Sequence, residues 1–148
     1  MIDPGYKIRV FLSRTAIPAL VLWAAIFSGR ALADPEDDRI TLATLRRVES
    51  IAGRMSSLES FGKATLSESA ILLDLGAASE PGLLQYLGKS GKDWKAKFWA
   101  VDMLGYVGDE SALTPLRKLA RNSEVRSEIR NRARKALKEI GARLSASR

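Results

Sequence analysis

The chain has 148 residues, a one-domain length, and its 46% hydrophobic and 28% charged residues are too apolar a mixture for a disordered chain. It contains no cysteine and no histidine. This excludes a disulfide framework, a thiol nucleophile, thiolate metal sites and a lipidated N-terminal cysteine, and it removes the commonest general base and metal ligand. No catalytic residue, metal ligand or cofactor is therefore expected, and the +7 formal charge becomes the main functional clue.

The first element is apolar. Lys7, Arg9 and Arg14 precede an uncharged run over residues 16–27, followed by Ser28, Gly29, Arg30 and Ala31-Leu32-Ala33. A positive stretch, about a dozen apolar residues and small residues before a cut are the layout of a secretory signal peptide. The expectation is a signal peptide over 1–33, cleaved after Ala33, and a periplasmic or secreted protein. The alternative is an uncleaved membrane anchor over 16–29, which Arg30 beside the cut keeps open; the run is short for a bilayer span. Removing 1–33 takes away Lys7, Arg9, Arg14, Arg30 and Asp3 and leaves a formal charge of +4.

Six helices are predicted beyond it. Asp34-Pro35-Glu36-Asp37-Asp38 combines a capping Asp, a first-position Pro and carboxylates at the positive end of the helix dipole. Apolar residues from Ile40 to Leu58 recur at three-to-four spacing, so this helix is expected to run from 35 to 61 and stop at Gly62. A second covers 65–75 with Ser67 as cap. A third runs from Ser79-Glu80-Pro81 to Leu87. Asp93 caps a fourth over 94–107, closed by Gly108. Asp109-Glu110 starts a fifth, with Pro115 near its start, and Asn122 or Ser123 caps a sixth carrying Val125, Ile129, Ala133, Ala136, Leu137, Ile140 and Leu144. No stretch has convincing strand character.

The helices repeat. Ile71, Leu75, Gly76, Leu84 and Leu87 recur 29 residues later as Ala100, Leu104, Gly105, Leu113 and Leu116. At an offset of 33, Ala96-Lys97, Ala100, Met103-Leu104 and Val107-Gly108 align with Ile129-Arg130, Ala133, Ala136-Leu137 and Ile140-Gly141. A period near 30 with two helices per unit is the mark of stacked hairpins that bury one another's apolar faces. Ala100, Ala133 and Ala136 are read as small residues that let helices approach, and Gly105, Gly108 and Gly141 as chain-reversal positions.

Residues 96–116, with an apolar-basic pair, Leu104-Gly105, Val107-Gly108-Asp109 and Ala112-Leu113-Thr114-Pro115-Leu116, resemble a HEAT repeat of the short, phycobilin-lyase-like kind. Residues 129–141 resemble the second helix of the next copy. The resemblance covers about 66–141 and is strongest over 94–141. It implies an all-α fold: a short right-handed α-solenoid of about three hairpins, with 34–62 as a divergent capping helix and 63–148 as the repeat domain. It carries over no catalytic residue. A lyase-like enzyme is the weakest reading, because the chain is short for such lyases and lacks Cys and His.

Two surfaces are candidates for binding. Residues 117–148 hold eleven basic residues against Glu124, Glu128 and Glu139, or +8, whereas residues 34–78 carry −3. The basic end can attract an anionic partner or can simply be the solvated face of a terminal helix. The aromatic group Tyr86, Trp94, Phe98, Trp99 and Tyr106 can be core or can supply an anchor, with Trp94 the first choice for exposure. The expected binding residues are Trp94, Lys95, Phe98, Arg126, Arg130, Arg134 and Lys138. The expected function is an exported scaffold that binds a protein partner, acidic by complementarity. The alternative is a peripheral binder of an anionic membrane or glycan; nucleic acid is not expected.

Overall fold

The computed structural model describes residues 34–147; the expected signal or anchor segment lies outside them. The described residues are helical apart from short connections and contain no strand. Helix α1 (Pro35–Arg54) starts as its sequence predicts: the Asp34 carboxylate accepts the Glu36 N–H at 2.9 Å. It does not continue to 61. Met55 is extended, and the Ser57 hydroxyl accepts the Ser60 N–H at 3.2 Å to begin a new helix, α2 (Leu58–Ala64). Serine competes with the helix for backbone hydrogen bonds, and after Gly53 the Ser56-Ser57 pair wins. The expected boundary at residue 62 falls inside α2.

Helix α3 (Leu66–Leu75) is joined to α2 through Thr65, whose hydroxyl donates to the Phe61 carbonyl at 3.0 Å. Ser67, the expected cap, instead donates to the Glu68 carboxylate at 2.7 Å. Gly76 takes φ 57°, a conformation costly for other residues, and opens a 3-10 turn (Gly76–Ser79) leading to α4 (Glu80–Leu87). Helices α5 (Trp94–Val107) and α6 (Glu110–Arg121) begin as expected, with the carboxylates of Asp93 and Asp109 accepting from Lys95 and Ser111 at 2.8 and 2.6 Å. Helix α7 (Ser127–Ala146) starts later than expected. Asn122 closes a turn within the connection by accepting the Glu124 N–H at 2.9 Å, and Arg126 holds the cap position without a side-chain cap.

Helix α1 packs on α3 and α4, α3 on α5, α4 on α5 and α6, and α7 on both α5 and α6. Leu45, Val48, Phe61, Leu72, Leu83, Leu104, Leu116 and Ile140 lie in one continuous core. Each such side chain contributes about 1.5–3 kcal/mol when fully buried. Ala100, Ala133 and Ala136 are wholly buried, as close helix approach requires. Two of the expected glycine roles change. Gly105 lies within α5, where an added Cβ would collide with the Glu139 carboxylate and sit 3.5 Å from the Ala136 Cα. Gly108 has φ −68°, and its Cβ would lie 3.1 Å from Ile140 Cδ1. Gly105 serves close packing against α7 rather than chain reversal; Gly108 does close α5, its N–H donating to the Leu104 carbonyl at 2.9 Å, with room also left for Ile140; and Gly141 is an ordinary position inside α7 with open space beside it.

Several polar links between helices fall at 29 to 31 residues. Trp99 Nε1 donates to the Ser69 hydroxyl at 2.9 Å, 30 residues away. The buried Glu80 carboxylate accepts the Asp109 N–H at 2.6 Å and the Ser111 hydroxyl, 29 and 31 residues away. Arg132 donates to Asp102, 30 residues away.

Candidate functional site

The site grows out of α7 and the way its arginines divide. Arg132 and Arg143 face α5. The Arg132 side chain is only 5% exposed; it donates to Asp102 and, at 3.0 Å, to Glu139. Burial opposes its charge, but the hydrogen bonds and attraction of Asp102, then of Glu139, outweigh it and hold the guanidinium pKa above that of an ordinary arginine. Arg143 donates to the carbonyls of Gly105 and, at 2.7 Å, Gly108. It thereby satisfies the C-terminal end of α5, where carbonyls lack helical partners and the dipole favours a cation.

Arg130 and Arg134 lie on the edge toward α6. Arg130 donates to the carbonyls of Ser123 at 3.0 Å and Val125 at 3.1 Å. Arg134 donates to the Ala120 carbonyl at 3.4 Å and to Asn131 at 2.7 Å. As the number rises on α7 it falls on the partner segment, so α6 and α7 run antiparallel. The strongly amphipathic α6 buries Ala112, Leu116 and Ala120 and turns Arg117 and Arg121 outward, one turn apart. Arg130 and Arg134 are likewise one turn apart. The four arginines, with Ser123, Ala120 and Leu137, line an open groove of about 530 Å³ that has no carboxylate in its wall. Among the described residues the guanidinium groups of Arg117 and Arg121 make no hydrogen bond or ion pair.

The aromatic end of the expected site is a separate cluster. Trp94 is half-buried against the core, with the Arg126 guanidinium 4.3 Å from its ring centroid and the Lys95 ammonium 5.5 Å away. Cation–π contacts of this kind tie the connection before α7 to the start of α5. Lys95 is buried and paired with Asp93 at 3.3 Å, so it is enclosed rather than presented. Phe98 is half-buried against the core. The exposed aromatic among the described residues is Tyr106, 52% exposed, and not Trp94. Tyr86 is buried, its hydroxyl has no hydrogen-bond partner among the described residues, and burial, then Glu49 and Asp93, push its pKa far above the usual tyrosine value.

Of the expected binding residues, Arg130 and Arg134 therefore meet in one groove, Trp94, Lys95 and Arg126 in one cluster, and Lys138 stands exposed on α7 outside the groove wall. Sequence reasoning missed Arg117 and Arg121 as site residues. Their four-residue spacing on the polar face of an amphipathic helix that precedes an antiparallel basic helix is the signal that places them opposite Arg130 and Arg134. Among the described residues no group of three or more Asp or Glu could hold a metal ion, and no helix is long and apolar enough to cross a membrane. No family model, curated protein or solved structure matches the chain.

Proposed function

We propose that the protein is an exported scaffold: a short α-solenoid of HEAT-like hairpins that binds another protein through the arginine groove between α6 and α7. The groove is the observation that carries this reading. Four guanidiniums gathered in one concavity without a carboxylate in its wall repel one another, and an anionic partner would relieve that repulsion. A merely solvated face carries charges of both signs that pair locally, as Lys63 does with Glu59 on α2.

The solenoid reading is supported by two features. Four of the lateral hydrogen bonds, those of Trp99, Glu80 and Arg132–Asp102, fall at separations of 29 to 31 residues, close to the sequence period. α1 packs on α4 and α4 on α6, while α3 packs on α5 and α5 on α7, so alternate helices form two rows. Each unit would then bury its neighbour's apolar face, as repeats of this size must. Export is supported by the signal-like layout of residues 1–33.

The test is capture from an envelope fraction with the tagged full chain and with the R130E/R134E variant, at low and high ionic strength. The expected result is one or more proteins retained by the unaltered chain and lost both with the variant and with added salt. Equal capture by the two chains would sink the groove as the partner surface. Retention that is indifferent to salt would instead favour the Trp94 cluster.

A further inference from the structure

We propose that the α6–α7 groove is a clamp for an acidic tract in an extended peptide segment, with about four consecutive Asp or Glu residues engaging its four arginines. The proposal rests on the preceding reading and adds what the partner presents.

The two walls set the spacing. Arg117 and Arg121 stand four residues apart on α6, and Arg130 and Arg134 four apart on α7, so successive guanidinium bases on each wall are separated by about 6 Å along the helix. An extended chain places residues i and i+2 on one side, about 6.5–7 Å apart, and i+1 and i+3 on the other. A peptide lying along the groove would direct alternate carboxylates to opposite walls, each in register with one arginine. Guanidinium and carboxylate match as planar, bidentate partners. The α7 arginines are already oriented by their bonds to the carbonyls of Ala120, Ser123 and Val125, which reduces the side-chain freedom lost on binding.

The floor and the surroundings favour a peptide. Ala120 and Leu137 give the groove an apolar base on which a backbone and side-chain methylenes can lie. At about 530 Å³ it is far larger than a single tetrahedral anion requires, given that one water occupies about 30 Å³ of liquid. A helix pair that binds membrane surfaces carries large apolar side chains beside its basic ones. Among the described residues the large exposed apolar side chains are Leu66 and Leu73 on α3 and Tyr106 on α5, none of them in the groove wall.

The experiment titrates the full chain into a fluorescein-labelled peptide of four consecutive glutamates and follows anisotropy. The same titration is run with a peptide in which two glycines separate each glutamate, and with tripolyphosphate and phosphatidylglycerol vesicles as competitors. R117Q/R121Q is the primary variant because those guanidiniums hold no structural bond, so its thermal unfolding should match that of the unaltered chain; R46Q/R47Q on α1 is the charge-matched control. At about three-fold per exposed arginine, R117Q/R121Q should weaken binding about ten-fold. The control should bind like the unaltered chain, and the spaced peptide should bind several-fold more weakly despite equal charge. Unchanged binding by R117Q/R121Q, equal binding of the two peptides, or stronger binding of tripolyphosphate or vesicles than of the tetraglutamate peptide would each overturn the clamp. A clamp that fails while R130E/R134E still abolishes capture leaves the scaffold reading standing. A clamp that holds with no R130-dependent capture removes the scaffold and keeps the acid-binding groove.

Discussion

On the side of α7 that meets α5, Arg132 reaches Asp102 and Glu139, and Arg143 closes over the carbonyls at the end of α5. On the edge that meets α6, Arg130 and Arg134 touch carbonyls and an asparagine, and no carboxylate answers their charge. All four sit on one helix within a single basic segment, yet only Arg132 is buried and paired with carboxylates; Arg143, like Arg130 and Arg134, answers to neutral groups and keeps its charge. A segment charge of +8 therefore overstates what a partner meets. What matters is which cations already have anions, because a neutralised pair contributes little field outside the protein.

The largest effect that can test this division is Arg132→Met, which keeps the methylene stem but removes the charge. It leaves Asp102 without its cation and Glu139 with only Lys135, at 3.8 Å. Removing one partner of a buried pair costs about 3–5 kcal/mol, and because the carboxylates are near one-third exposed the lower end is expected. At about 3 kcal/mol the melting temperature should fall by roughly 15 °C in a domain of this size. A fall of only a few degrees would mean that the inner arginine is as dispensable as the outer ones, and the comparison would collapse. Gly105→Ala attacks the same network from α5. Its Cβ would displace the Glu139 carboxylate from Arg132, while alanine recovers up to about 1 kcal/mol of helix propensity. A net loss of about 1 kcal/mol is expected by urea unfolding, and it should be non-additive with Glu139→Gln because both remove one contact.

Much of this was legible in the sequence, and the failures have a common cause. The starts of α1, α5 and α6 follow from Asp34, Asp93 and Asp109, because capping is a local interaction between neighbours in the chain. The break at Met55 was hidden by an apolar period that continues through Leu58 while the hydroxyl of Ser57 decides the backbone. Gly108 ends α5 as its sequence suggests, whereas Gly105 looks like a helix end in isolation, and only the approach of α7 shows that its missing Cβ is what matters. The same limit applies to the site. Composition marks 117–148 as basic, but Asp102 and the α5 carbonyls that Arg132 and Arg143 bind lie 30 to 38 residues away, and the groove exists only once α6 folds back along α7. Lys95 next to Trp94 read as an exposed pair until the cap carboxylate of Asp93 claimed the ammonium.

A smaller effect sharpens the outer half of the comparison. R130Q/R134Q removes two hydrogen-bonded but unpaired arginines at the end of α6, and hydrogen bonds this exposed contribute about 0.5 kcal/mol each. With four such bonds, the variant should be at most about 2 kcal/mol less stable than the unaltered chain by urea titration, short of the about 3 kcal/mol of Arg132→Met, while losing its anionic partner. A loss as large as that of Arg132→Met would assign Arg130 and Arg134 to the structure as well.

The smallest expected effect concerns Glu128, one of three carboxylates in the basic segment. Glu139 belongs to the inner network. Glu128 stands in the first turn of α7, where its own backbone N–H and the Ser127 hydroxyl at 3.0 Å lower its pKa against an opposing desolvation, with a lesser contribution from the Arg126 charge. A depressed carboxylate stabilises the folded chain above its unfolded pKa and loses that contribution as pH falls through the folded value. Glu128→Gln should therefore unfold slightly more easily than the unaltered chain at neutral pH, and the two curves should converge as the solution becomes acid. A gap that persists at acid pH would mean that the group acts through hydrogen bonding alone. Convergence would show that this acid, like Glu139, serves the helix rather than the groove.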